Sequence, residues 1–305
     1  MEIIRGIENL LPPPRRPVVT LGNFDGVHLG HQKIFQEVTR QAKEAGLPSI
    51  ILTFDPHPAK VLNPGEPLPL IMPLKRRLEV IASFGIDLAV IIKFTPEFSR
   101  LTAREFVAGV LWEKVQPRLV LVGYNFNFGK GREGTPQLLK SLGEELGFEV
   151  EIVEPVCLGK LMVSSSEVRR AVEAGEVDRA NDMLGRPFQL TGPVIKGKGL
   201  GKGLGFPTAN IAWDNELIPK EGVYACLVEY RGATYKGVVN IGTAPTVKGD
   251  ELSVEVHLLN FKGEIYREEL KLSFIKRLRD EGRFESIAAL REQIKRDIER
   301  AEEIL

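Results

Sequence analysis

Residues 18–31 read Val18-Val19-Thr20-Leu21-Gly22-Asn23-Phe24-Asp25-Gly26-Val27-His28-Leu29-Gly30-His31, and no other stretch restricts the possible folds of this chain as tightly. An apolar, β-branched run predicts a buried strand. A turn through Gly22 and Gly26 follows, and Gln32 to Ala45 has the amphipathic spacing of a helix. His28 and His31 stand three apart at the helix start, which puts both imidazoles on one side of its first turn. The backbone N–H groups of that turn have no intrahelical partners and carry the positive end of the helix dipole, so the corner is suited to an anion. Two imidazoles add donors able to follow charge growing on a phosphate oxygen. Two plainer readings compete: a structural corner with incidental histidines, and a His-x-x-His zinc site. No Cys or acidic residue has spacing that would complete the zinc set, and the next histidine is His57.

The pattern then alternates. Ser49 to Phe54 is a second short apolar run, ending in Asp55-Pro56-His57-Pro58, where two prolines are expected to halt regular structure. Residues 59–73 read as a proline-rich loop. Leu74 to Phe84 has helical spacing, and Leu88 to Ile92 reads as a third strand. Thr102 to Lys114 is expected to be a helix capped by Thr102, with Glu105 completing a capping box. Leu119 to Gly123 is a fourth strand, Thr135 to Leu146 a helix and Glu149 to Val153 a fifth strand. Strands that are continuously apolar and alternate with helices predict a parallel sheet covered on both faces. Ligands of such sheets bind beyond the carboxyl ends of the strands. Gly22 to His31, Phe54 to Pro58 and Tyr124 to Gly131 all fall there.

Length and charge narrow the class. At 305 residues, two domains are expected. Apolar residues make up 43% and charged residues 27%, ordinary values for a globular chain. Residues 1–185 hold 22 basic and 23 acidic side chains, and residues 186–305 hold 19 and 18. That balance argues against a nucleic-acid partner. Two cysteines, Cys157 and Cys226, make no disulfide framework and fit a reducing cytoplasm. Residues 1–17 have no apolar h-region, so no signal peptide is expected, and no apolar run approaches the ~20 residues of a membrane span.

Val163-Ser164-Ser165-Ser166-Glu167-Val168-Arg169 comes next. Ser166 can cap the helix that follows, and the same hydroxyls with Arg169 can donate to phosphate. From about Arg186 the pattern changes to short β runs, Gln189–Ile195, Gly222–Tyr230, Ala233–Ile241 and Leu252–Phe261, with a helix from Ser286 to about Glu303. A small antiparallel barrel with a terminal helix packed on it is expected.

A second chemical cluster lies in this half. Lys196 to Gly205 has glycine at every second position from Gly197, which lets backbone approach a ligand closely, although a flexible linker would look similar. It lacks the G-x-x-x-x-G-K-[ST] pattern of a P-loop. In the following Phe206-Pro207-Thr208-Ala209-Asn210, an extended backbone puts Thr208 and Asn210 on one face, both with oxygens suited to Mg²⁺. Val254, Val256 and Leu258 face one way on the next polar–apolar alternation; Ser253, Glu255 and His257 face the other. Glu255 could accept a proton from an attacking hydroxyl, or be only a polar residue on a solvated strand.

The G-N-F-D-G-V-H-L-G-H stretch resembles the nucleotidyltransferase superfamily and, within it, bacterial FAD synthetases. The Ser165-Ser166-x-x-Arg169 segment and Leu184-Gly185-Arg186-Pro187-Phe188 strengthen that resemblance. G-F-P-T-A-N, Gly237 to Thr246, Val254 to Phe261 and Arg283-Phe284-Glu285-Ser286 resemble riboflavin kinases. Together the motifs cover nearly the whole chain and resemble bifunctional riboflavin kinase/FMN adenylyltransferases. The resemblance implies a Rossmann-like nucleotidyltransferase domain over residues 1–185, then a six-stranded antiparallel flavokinase-like barrel with a C-terminal helix over 186–305. It implies ATP with Mg²⁺ in both steps, riboflavin, FMN and FAD as substrates and products, and neither nucleic acid nor membrane as partner. Implied at the adenylyl-transfer site are His28, His31, Ser165, Ser166 and Arg169 on the triphosphate, with Gly22, Phe24 and Asp25 in the binding loop and Phe54 and Asn125 toward the flavin. Implied at the kinase site are Glu255 as base, Thr208 and Asn210 at the metal, Gly197 and Gly205 in the nucleotide loop, and Arg279 at the flavin end. Lys196, Lys198 and Leu200 depart from the usual loop residues, Arg267 stands where glycine is usual, and Asn125 where aspartate is common. The alternatives are a single-activity adenylyltransferase acting on another phosphate such as phosphopantetheine, its barrel noncatalytic, and an RNA-binding barrel. The first leaves Thr208, Asn210 and Glu255 unexplained as a set; the second lacks a series of stacking aromatics.

Overall fold

In the computed structural model the chain divides into two compact units, Met1–Ser164 and Ser165–Leu305. All residues are described except Pro67, Lys198, Gly199, Val247, Lys248 and Arg283, with backbone alone for residues 200, 202, 244–246 and 249–251. The expectations for Lys198 and Arg283 therefore lie outside the described residues, as does any for the Leu200 side chain.

The first unit runs β1 (Glu2–Arg5), β2 (Val18–Leu21), α1 (Leu29–Ala45), β3 (Ser49–Asp55), α2 (Pro58–Leu62), α3 (Leu74–Ala82), β4 (Leu88–Lys93), α4 (Ala103–Phe106), β5 (Leu119–Gly123), α5 (Pro136–Leu146), β6 (Glu149–Val153), and a hairpin of β7 (Cys157–Leu158) and β8 (Leu161–Met162). Six strands form one parallel sheet in the order β1-β4-β3-β2-β5-β6. Alternate side chains divide between its faces. Val19, Leu21, Ile50, Leu52 and Phe54 join the core under α4 and α5, while Val18, Ile51 and Leu121 join the core under α1 and α3. The chain leaves β2 in one direction through β3 and β4 and in the other through β5 and β6. The crevice beyond the carboxyl ends of β2 and β5 is thus the switch point of the sheet.

Three local expectations change. Pro56 ends β3 as expected, but Pro58 does not extend the break: it opens α2 within the expected loop, where a missing N–H costs nothing, and His57 Nδ1 accepts from Ala59 N at 3.2 Å. The helix expected over 102–114 keeps its capping box, but after Phe106 it widens into a π-helical segment, Val107–Val115. Ser166 is not a cap, since α6 (Ser165–Ala174) begins one residue earlier.

The second unit continues with α7 (Val177–Leu184), β9 (Phe188–Ile195), α8 (Leu200–Leu204), β10 (Ala209–Ile211), β11 (Gly222–Tyr230), β12 (Ala233–Thr246), β13 (Gly249–Leu258), β14 (Glu269–Arg279) and α9 (Ile287–Ile304). Its six strands close an antiparallel barrel in the order β10-β13-β12-β11-β14-β9, and β10 also pairs with β9. Helix α7 packs on β14 and β9. Asn181 donates to Phe274 O at 2.8 Å and accepts from Phe188 N at 2.7 Å, tying α7 to two strands. Ala301 of α9 packs with Val223, Ala225 and Leu278 of the barrel. Arg267 has a left-handed φ of 65°, the conformation that makes glycine usual at such a place, and its guanidinium lies over the Tyr266 ring.

Candidate functional site

The loop between β2 and α1 is held in an uncommon conformation. Phe24, Gly26 and Val27 all have left-handed φ, at 51°, 81° and 43°, a costly arrangement for a β-branched valine. Buried contacts hold it. Both Asp25 carboxylate oxygens accept from Ile71 N at 3.1 Å, and a Cβ on Gly26 would stand 2.8 Å from Ile71 Cδ1. Gly22 leaves room for the Phe24 ring, which packs edge-on to His31. His28 is the N-cap residue of α1 and is 7% exposed. Its ring stacks on that of His31, with centroids 3.6 Å apart and planes 21° from parallel. The expected pairing of imidazoles at a helix start is therefore present, at the carboxyl edge of the sheet. Asp25 faces into the protein, on Ile71.

Arg77 was missed from the sequence. It is 2% exposed, and Nη2 donates to Phe54 O at 3.4 Å. Burial pushes its guanidinium below the ordinary arginine value, opposed by the attraction of Asp25 and Asp55. A signal was available: Leu74, Arg77, Leu78 and Ile81 share one helical face, so this arginine occupies an inward position of α3. Phe54 itself packs on Phe94 and Phe98 in the core. Asn125 is exposed just after β5, and its carbonyl accepts from Asn127 Nδ2 at 2.7 Å. Ser165, Ser166 and Arg169 stand on α6, in the second compact unit, with Arg169 buried.

In the second unit the structure brings three candidates together. Asn210 of β10 pairs with Glu255 of β13 in register, and Thr208 Oγ1 donates to Glu255 Oε2 at 3.2 Å. Val254, Val256 and Leu258 are buried, whereas Ser253, Glu255 and His257 are half-exposed, the alternation expected from the sequence. The glycine segment lies over the pair. A Cβ on Gly197 would stand 2.0 Å from Asn210 Nδ2, and one on Gly201 would stand 3.0 Å from Thr208 Oγ1. Gly205 has a φ of 87° and open space beside it. Arg279 is held elsewhere: its guanidinium forms a bidentate pair with Asp297 of α9 at 2.8–3.0 Å and lies over Phe284. Among the described residues, no group of three or more His, Cys, Asp or Glu is placed to hold a metal.

The family models for FAD synthetase and riboflavin kinase match residues 12–167 and 184–305. The chain is 40% identical to the bifunctional riboflavin kinase/FMN adenylyltransferase of Pseudomonas fluorescens, covering 98% of this chain and 96% of that one. It is 37% identical to the enzyme of the same name from Escherichia coli K12, covering 97% and 96%. A crystal structure described as a macrolide-efflux protein from Streptococcus pneumoniae superposes with a TM-score of 0.91 at 30% identity, covering 99% of each chain. No described helix of the present chain is long and apolar enough to cross a membrane. Two matched family models, in the order of the two units, and relatives similar over nearly their whole length place this chain in the bifunctional riboflavin kinase/FMN adenylyltransferase family.

Proposed function

We propose that the chain makes FAD from riboflavin in two ATP-dependent steps, with phosphoryl transfer in the barrel and adenylyl transfer at the parallel sheet. The observation that carries this reading is the meeting of Thr208, just before β10, with Asn210 and Glu255 on adjacent barrel strands, which a noncatalytic barrel would not need. Glu255 takes the proton of the ribityl 5′-hydroxyl as that oxygen bonds to the γ-phosphorus of ATP. The bond from the γ-phosphorus to the β–γ bridging oxygen breaks, leaving FMN and ADP.

The donor set fits a magnesium ion shared with nucleotide phosphates. A threonine hydroxyl that donates its proton to a carboxylate keeps its lone pairs for a cation, and Asn210 adds an amide oxygen. Bound there, the ion would neutralise charge on the transferring phosphoryl group. Few protein ligands suffice, because Mg²⁺ usually keeps waters and phosphate oxygens in its shell.

For the second step, an FMN phosphate oxygen attacks the α-phosphorus of ATP and pyrophosphate leaves. A phosphate monoester is an adequate nucleophile, so no covalent enzyme intermediate is needed. Catalysis there is positioning and charge stabilisation. His28 and His31, stacked at the start of α1, are the proposed donors to the phosphate oxygens. Ser165, Ser166 and Arg169, on α6 of the second compact unit, carry hydroxyls and a guanidinium of the type that grips a polyphosphate, and their proposed part in this step rests on the sequence resemblance. Phe54 and Asn125 border the carboxyl edge proposed for the flavin of this step; Arg279, proposed for the flavin end of the kinase site, is engaged there by Asp297. A cytoplasmic location fits the two free cysteines.

The test is incubation with riboflavin, ATP and Mg²⁺, with products separated by chromatography. FMN appearing first and FAD after it is the expected result. FAD made only from supplied FMN would reduce the chain to a single-activity adenylyltransferase.

A further inference from the structure

We propose that His257 is a positioning residue for phosphoryl transfer, holding the Thr208 hydroxyl in place through the carbonyl of Pro207. The inference rests on the reading of the barrel as the kinase.

The backbone pairing of β10 with β13 is short. It joins Asn210 to Glu255 and Ala209 to Val256, and the paired strand ends there. Thr208 stands one residue outside β10, beyond that pairing. Two side chains of the same polar face of β13 reach the segment that carries it. Glu255 accepts directly from Thr208 Oγ1 at 3.2 Å. Two residues on, His257 Nδ1 lies 2.8 Å from Pro207 O, and the Phe206 ring stands edge-on to the imidazole, 5.9 Å away at 90°. The segment Phe206-Pro207-Thr208 is thus gripped on both sides of the peptide that presents the hydroxyl.

The chemistry of the bond fixes the tautomer. A carbonyl oxygen can only accept, so the proton sits on His257 Nδ1. Protonating Nε2 leaves that donor unchanged, so the grip does not depend on the charge of the ring. His257 consequently needs no proton of its own to transfer, which separates its role from that of Glu255.

The experiment uses the full chain with three variants, His257→Asn, His257→Gln and His257→Leu, assayed for FMN formation over a range of MgATP and of pH. An asparagine amide can place its N–H near the Nδ1 position, a glutamine amide lies nearer Nε2, and leucine has no donor. His257→Leu should raise the KM for MgATP by about 2- to 12-fold, the range expected for one net hydrogen bond. Asparagine should restore the wild-type value and glutamine should not. The pH profile of the asparagine variant should match that of the wild type. Nitrogen-15 NMR of the wild-type imidazole gives a readout free of turnover, and Nδ1–H is expected. A leucine variant with unchanged KM, an asparagine variant as impaired as leucine, loss of a limb of the pH profile, or an Nε2–H tautomer with bare Nδ1 would each overturn the inference. Absence of FMN formation by the wild type would instead overturn the kinase reading itself.

Discussion

Gly197→Ala tests how the glycine segment serves the barrel site. The added methyl would stand 2.0 Å from Asn210 Nδ2 and 2.7 Å from Asn210 Cγ, well inside the ~3.5 Å at which such atoms meet. Either the Asn210 amide rotates from its place beside Glu255 or the segment lifts. Gly197 is exposed and the atoms it would strike end a side chain, so the amide swings aside and the loss is that of its one polar contact with the bound nucleotide and metal, about 0.5–1.5 kcal/mol. At about 1.4 kcal/mol per tenfold, MgATP use weakens about 2- to 12-fold. Riboflavin phosphorylation measured against MgATP should show the loss, while FAD formation from supplied FMN in the same sample should stay at the wild-type rate. Gly203→Ala is the control. Its added Cβ would meet nothing within 4 Å, so a change no larger than about twofold is expected. An unaltered Gly197→Ala kinase would refute the reasoning, as would an equal loss in Gly203→Ala, which would point to backbone freedom instead of the Asn210 contact.

His28→Ala should lower FAD formation from FMN by about 10²–10³-fold, as loss of a preorganised donor does, with riboflavin phosphorylation intact; persistence near the wild-type rate would remove His28 from the site. Glu255→Gln should lower maximal phosphorylation about 10²–10⁴-fold with no recovery at high MgATP, whereas Asn210→Ala should recover in part. An undiminished Glu255→Gln rate, with phosphoryl transfer shown to be limiting, would leave Glu255 a polar strand residue. A fragment of residues 165–305 should fold and phosphorylate riboflavin. A fragment starting at Arg186 loses the Asn181 bonds and the buried Met183 and Leu184, a deficit of about 3–6 kcal/mol for the two apolar side chains alone, and equal melting temperatures for the two fragments would show that α7 contributes nothing.

How much of this was legible in the sequence follows the range of each interaction. The β2–α1 corner and the alternation around Glu255 are local patterns, and their side chains stand where the spacing puts them. Strand β14 was overlooked because its burial does not alternate: its pairing with β11 shifts register at two places, and each shift spoils the period of two. Strand β10 has three residues, too few for any periodicity to register. The four-residue edge strand β1 is mostly exposed and lacks an apolar run. The burial of Arg77 beside Phe54, the hold of Asp25 on Ile71 and the pairing of Arg279 with Asp297 join residues 18 to 46 positions apart. Only the folded chain brings those partners together.

The shortness of β10 also has a consequence for the order in which the barrel can be assembled. Asn210 pairs with Ile195 on one side and with Glu255 on the other, so it belongs to both seams that turn a five-stranded sheet into a closed ring. Before those seams join, β9 and β13 are free edges and the proposed metal-binding oxygens lie apart from the proposed base. Joining β10 to β13 is the seam that completes the proposed catalytic group, and it is one of the two that close the ring. A partly folded barrel that lacks it, however native its other hairpins, is expected to show no kinase activity, and the first appearance of FMN during refolding would time the joining of that seam.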